Sequence, residues 1–119
     1  MQWLIKDNNS LHNQLIEELK LRIFLDFYRS GDKIPSVRAL AEEAGVNPNT
    51  MQKALVELEN SGLIYTKGTN GRYVAHSKVL INQAKSHMKN QIVDNFITDI
   101  QKLGIDNQII INQLLERLG

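Results

Sequence analysis

The dipeptide Asn47-Pro48 constrains this chain more than any other feature. Asparagine is a preferred helix N-cap, and proline is preorganised for the first helical position, where its missing N–H leaves nothing unpaired. A helix therefore begins at residue 48. In it Met51, Leu55 and Leu58 fall at i, i+4 and i+7 and share one face, while Asn49, Gln52, Lys53 and Val56 share the opposite one. That pattern needs a core on one side only, and it leaves an edge of amide and ammonium groups pointing away. Gly62 ends the helix.

The segment before it is a shorter helix of the same kind. Pro35 ends what precedes it and Ser36 is placed as the N-cap, after which Val37, Leu40, Ala41 and Ala44 make one apolar face. Gly45 supplies a left-handed closing residue and Val46 a buried plug in the turn. Further upstream, Ser10 caps a helix in which Leu11, Leu15, Leu19, Ile23 and Phe27 recur every four residues, until Ser30, Gly31 and Asp32 break it. Trp3, Leu4 and Ile5 have the composition of a short strand, followed by a loop at residues 7–9. Residues 63–66 and 72–75 are strand-like, and the Asn70-Gly71 pair between them favours a tight hairpin. Three helices followed by a hairpin is the order of a winged helix, so the expected fold is mainly α with one small β hairpin.

From residue 78 onward a long helical stripe contains Leu80, Ala84, His87, Met88, Gln91, Ile92, Phe96, Ile100 and Leu103, and Gly104 stops it. Asp106 then caps a last helix carrying Ile109, Ile110, Leu114, Leu115 and Leu118. Two such helices cannot cover each other's apolar faces, so a second copy of the chain is the expected partner. Leu80, Ala84, Met88, Ile92, Phe96, Ile100, Ile110 and Leu114 are its candidate contacts. The expected division is a winged helix-turn-helix at 1–75 and a helical dimerisation region at 76–119. A small-molecule effector pocket lined by Met88, Ile92 and Phe96 between two subunits is the alternative use of that stripe.

Composition narrows the function classes. There is no cysteine, so disulfides and thiolate metal sites are excluded. His12, His76 and His87 are too scattered for a metal site, and no nucleophile with a base partner or phosphate-cradling glycine loop is recognisable, so neither an enzyme nor a cofactor is expected. No segment approaches the roughly 20 apolar residues that cross a bilayer, and a cytoplasmic protein is expected. The net charge is only +1, with nine basic and nine acidic side chains up to Ala75 and five and four after it. Any polyanion must therefore be met by local placement of charge.

The run Pro35-Ser36-Val37-Arg38, then Leu40-Ala41-Glu42-Glu43-Ala44-Gly45-Val46-Asn47-Pro48-Asn49-Thr50, then Leu55-Val56-Glu57-Leu58-Glu59 and Gly62-Leu63-Ile64, resembles the GntR family of bacterial regulators. The match extends upstream through Gly31-Asp32-Lys33-Ile34 and downstream into the hairpin, covering most of residues 10–75. The short two-helix tail, with Leu103-Gly104-Ile105-Asp106, is similar to the YtrA-type branch of that family. This resemblance implies a homodimeric repressor of an inverted-repeat operator, often for genes of an adjacent ABC transporter. It also implies a backbone or base contact by Arg38, whose bland alternative is an ion pair with Glu42. The chain departs from the family at Ala39, where a glutamate often completes a capping box with the serine, and in a hairpin less rich in glycine and basic residues.

A winged helix offers the start of its third helix to the major groove of double-stranded DNA, which makes Asn47, Asn49, Thr50, Gln52 and Lys53 candidate base or backbone contacts. Asparagine and glutamine pair bidentately with adenine, and lysine donates to guanine. Ser36 combines capping with a phosphate contact, while Lys67, Thr69 and Arg72 hold phosphates or enter the minor groove. The rival reading is a winged helix used as a protein-interaction scaffold, since fold alone does not fix function.

Overall fold

The computed structural model describes residues 1–6 and 10–119. Its elements are α1 (Leu11–Phe24), α2 (Val37–Ala44), α3 (Pro48–Asn60), β1 (Ile64–Thr66), β2 (Arg72–Val74), α4 (Lys78–Gln101) and α5 (Asn107–Leu118). The expected mainly helical fold with one hairpin is what is found. The chain divides into two compact units, Met1–Ala84 and Lys85–Gly119.

In the first unit α1 and α2 both pack on α3, and β1 continues from its end. Met51 and Leu55 of α3 are 0% exposed, and Leu15, Leu19, Leu40, Ala54, Leu58, Leu63, Ile64 and Val74 join them in the core. The helix starts follow from their caps. Asn13, Ala39 and Asn49 donate backbone N–H groups to the side-chain oxygens of Ser10, Ser36 and Asn47. Ser36 thus caps α2 without the reciprocal glutamate. Gly45 closes α2 at φ 69°, a backbone that a Cβ would disfavour. Val46, expected as a buried plug, is half-buried.

Three expectations for the N-terminal part need correction. Residues 3–5 form no strand. Instead, Lys6 and Gln14 exchange two hydrogen bonds, the Lys6 amide donating to the Gln14 side-chain oxygen and the Gln14 amide donating to the Lys6 carbonyl. The first helix stops at Phe24, because Asp26 turns left-handed at φ 60°, a conformation aspartate tolerates better than most residues. Phe27 therefore leaves the stripe and is 51% exposed, while Tyr28 turns inward. Arg22, a charged residue lying between the apolar positions of that stripe and so expected at the surface, is buried at 2% exposure, donating to the Met1 carbonyl at 2.8 Å and lying against the Trp3 ring. The expected loop at 7–9 lies outside the described residues.

The hairpin is antiparallel, with Ile64 opposite Val74, Tyr65 opposite Tyr73 and Thr66 opposite Arg72. Its loop is not a two-residue Asn-Gly turn. That turn needs positive φ at both positions, and only Gly71 of the pair has it, at 106°. Lys67 instead donates to the Gly71 carbonyl and Asn70 to the Lys67 carbonyl across a five-residue loop. The other edge of β2 is also occupied. Gly31 donates to Val74, Val74 to Asp32 and Ile34 to Arg72, around an antiparallel bridge between Lys33 and Tyr73.

In the second unit, α4 runs to Gln101 and Gly104 turns the chain at φ 63°. Asp106 caps α5 by accepting the Gln108 N–H at 2.8 Å. No described residue of this unit is buried. Ile92, Val93, Phe96, Ile97, Ile109, Ile111, Leu115 and Leu118 all remain exposed.

Candidate nucleic-acid interface

The edge of α3 opposite its core ridge is open. Asn49, Gln52, Lys53 and Val56 are exposed and Thr50 is half-buried, as the heptad spacing requires once Met51, Leu55 and Leu58 are committed inward. Asn47 stands at the head of this edge. Its side-chain oxygen is engaged by the Asn49 N–H at 2.8 Å, leaving the amide N–H groups as its outward function.

Arg38 projects from the first turn of α2. It is exposed and, among the described residues, makes no ion pair, so the alternative pairing with Glu42 is not formed. Lys53 is likewise exposed, with no carboxylate partner among the described residues. The acids on α3 are occupied: Glu57 lies 3.1 Å from His12, and Glu59 lies 2.7 Å from Arg72. Near neutrality of the whole chain thus coexists with two basic groups, Arg38 on α2 and Lys53 on α3, that no carboxylate among the described residues neutralises.

An open cleft of about 340 Å³ lies between the start of α2 and the hairpin loop. Lys33, Ser36, Thr69 and Arg72 line it together with the Asn70-Gly71 backbone. Lys33 is a cleft residue that sequence reasoning passed over, although it sits inside the matched stretch Gly31-Asp32-Lys33-Ile34. Lys67 and Thr69 are exposed on the loop, with the Lys67 ammonium 5.9 Å from the Tyr73 ring centroid.

Arg72 differs in setting from the other basic candidates. Its Nε donates to Glu59 at 2.7 Å and a terminal nitrogen reaches Gln52 Oε1 at 3.4 Å, while Thr66 donates its hydroxyl to the same Glu59 oxygen. Burial pushes the Glu59 carboxyl up, but the hydrogen bonds from Thr66 and Arg72 and the Arg72 charge outweigh it and hold the group below its ordinary 4.5. Glu59 is the second residue that the sequence did not mark, because its partners, Thr66 and Arg72, come one from each strand of the hairpin.

Of the expected dimer contacts, Leu80 and Ala84 belong to the first unit, and Leu80 packs against Gly62, where an added Cβ would meet its Cδ1 at 3.5 Å. Met88, Ile92, Phe96, Ile100, Ile110 and Leu114 belong to the second. There Phe96, Ile97, Ile100, Ile110, Ile111 and Leu114 line a groove of about 270 Å³ between α4 and α5. Among the described residues no cluster of side chains is arranged to hold a metal, and no helix is long and apolar enough to cross a membrane.

Comparison with known proteins agrees with this geometry. The family of bacterial regulatory proteins named gntR matches residues 11–74. The transcriptional repressor YtrA of Bacillus subtilis is 31% identical over 102 residues, spanning 85% of this chain and 78% of its own length. A GntR family transcriptional regulator from Listeria monocytogenes superposes with a TM-score of 0.88 at 35% identity, over 94% of this chain and 98% of that one. The DNA-binding domain of AraR, solved in complex with operator ORX1, superposes with a TM-score of 0.54 at 28% identity, over 60% of this chain and 93% of that domain. These relatives and this fold are those of transcription regulators and not of enzymes.

Proposed function

Because the chain belongs to the gntR family of bacterial regulatory proteins, carries that family's DNA-binding domain and is YtrA-like, we propose that it acts as a cytoplasmic homodimeric repressor reading an inverted-repeat operator. The observation that carries this reading is the α3 edge: Asn49, Gln52 and Lys53 are exposed opposite a fully buried ridge. In the major groove Asn49, Thr50, Gln52 and Lys53 contact base edges, and Asn47 donates to the backbone beside them. Arg38 and Ser36 hold phosphates from the start of α2, and Lys67 and Thr69 approach the minor groove from the hairpin, with Lys33 in the adjoining cleft, while Arg72 stays with Glu59 and Gln52 on α3.

One such head covers only a few base pairs, so a two-fold dimer reading two half-sites follows. The uncovered apolar faces of α4 and α5 support pairing through Met88, Ile92, Phe96, Ile100, Ile110 and Leu114, with Leu80 and Ala84 at the near end of α4. In this reading the groove between α4 and α5 takes the partner's side chains in preference to a small-molecule effector. The regulated genes are those of an adjacent ABC transporter, and an inverted repeat is expected upstream of them.

Gel-shift titration of promoter fragments from the neighbouring genes tests the proposal. Arg38→Ala weakens binding to every sequence, whereas Asn49→Ala and Gln52→Ala chiefly relax sequence preference. Unchanged operator affinity in all three variants excludes this docking. Salt-independent binding, or none, favours the protein-interaction scaffold.

A further inference from the structure

Glu59 and Gln52 lie seven residues apart on one face of α3, and Arg72 bridges them from β2. The cross-strand pairing of Thr66 with Arg72 brings both side chains to the Glu59 carboxylate, one through its hydroxyl and one through Nε. With Nε fixed, a terminal nitrogen of the guanidinium stands 3.4 Å from Gln52 Oε1. A guanidinium only donates, so the glutamine must turn its oxygen toward Arg72, since the reverse orientation sets an N–H₂ group against a cation. The outward face of Gln52 is then its amide N–H₂.

That orientation changes what Gln52 can read. A free glutamine both accepts from adenine N6 and donates to adenine N7. With its oxygen turned toward Arg72 it presents chiefly donors to the groove, and adenine sets its own N6 donor beside the single N7 acceptor. Guanine offers two adjacent acceptors, O6 and N7. Resting on the reading that α3 enters the major groove, we propose that Glu59 is a positioning residue for base selection. It acts through Arg72 to hold the Gln52 oxygen, so that Gln52 selects guanine over adenine.

The test is selection of binding sites by the full chain from a library of randomised DNA duplexes, followed by titration of the recovered site. The position where Gln52→Ala loses preference is the one Gln52 reads. There the wild-type chain selects guanine, and replacing that base by 7-deazaguanine, which lacks the N7 acceptor, weakens binding on the order of tenfold. Arg72→Leu and Glu59→Leu shift the preference toward adenine by a similar factor, while Glu59→Gln, which still accepts from Arg72, keeps guanine. Adenine selected by the wild-type chain at that position overturns the proposal, as does indifference to 7-deazaguanine. Leucine variants that lose affinity for all sequences alike, with guanine still preferred, overturn it too and leave the cluster as a structural clasp. The 7-deazaguanine measurement uses only the wild-type chain, so it stands even where a leucine variant does not fold. A wild-type chain that selects no sequence overturns the α3 reading together with this proposal, whereas a selective one that prefers adenine overturns this proposal alone.

Discussion

The guanidinium carbon of Arg22 stands 4.1 Å from the centroid of the Trp3 ring. Phe27 and Tyr28 lie within 5.3 and 5.9 Å of the same group, and Arg22 Nε is buried with no hydrogen-bond partner among the described residues. Aromatic faces therefore provide much of what stabilises this charge. Trp3→Ala is expected to lower stability by about 1–2 kcal/mol, the range for a desolvated cation on an aromatic ring, and Trp3→Phe by less. Urea unfolding followed by circular dichroism measures both, and equal losses would show that the ring's quadrupole contributes nothing.

The orientation of α3 is checked by adjacent residues. Leu55→Ala removes a fully buried side chain and should cost about 2–5 kcal/mol. Val56→Ala, one position along and exposed, should change stability by no more than about 0.5 kcal/mol. Similar losses at the two sites would mean that the ridge and the edge have been assigned the wrong way round.

Salt dependence separates Arg38 from Arg72. Each phosphate neutralised contributes about 0.9 to the slope of log K against log salt, so Arg38→Ala should reduce the slope by roughly that amount. Arg72 is already paired with Glu59, and Arg72→Ala should leave the slope nearly unchanged. Affinities measured across a series of potassium chloride concentrations decide between them.

Acid weakens the Glu59 clasp in a definite direction. The folded-state carboxyl titrates below its ordinary 4.5, so its contribution to stability is complete above that value and is lost as pH falls through the lower folded value. Glu59→Gln cannot titrate. The stability advantage of the wild-type chain over this variant should therefore be constant at neutral pH and shrink below pH 4.5 in urea titrations. An advantage that grows on acidification contradicts the lowered value.

Pairing of two chains is tested at Phe96, which is 39% exposed on α4. Phe96→Glu should move the sedimentation coefficient of the full chain to that of a monomer while leaving its helical signal intact. A wild-type chain that already sediments as a monomer at micromolar concentration, with and without operator, removes the dimer from the proposal.

Caps and periodicity made most of this fold legible. Ser10, Ser36, Asn47 and Asp106 each announced a helix through a side chain that can accept an N–H, and each does so in the structure. What stayed hidden depends on tertiary contact. Asp26 takes a left-handed backbone that no four-residue spacing reveals, so the stripe ran on to Phe27. Arg22 resembles any helical surface arginine until Trp3 folds over it. The open edge of α3 was readable because it is the complement of the core ridge. Glu59 was not, since Thr66 and Arg72 reach it only after the hairpin has closed.

Because β2 is hydrogen-bonded along both sides, the hairpin is not an independent flap. Displacing its return strand would unzip residues 31–34 and disturb the approach to Ser36. Under the docking proposed above, a mismatch between this surface and the groove would fall on the duplex, by bending or narrowing, so that the stiffness of an operator, and not only its letters, would enter the affinity.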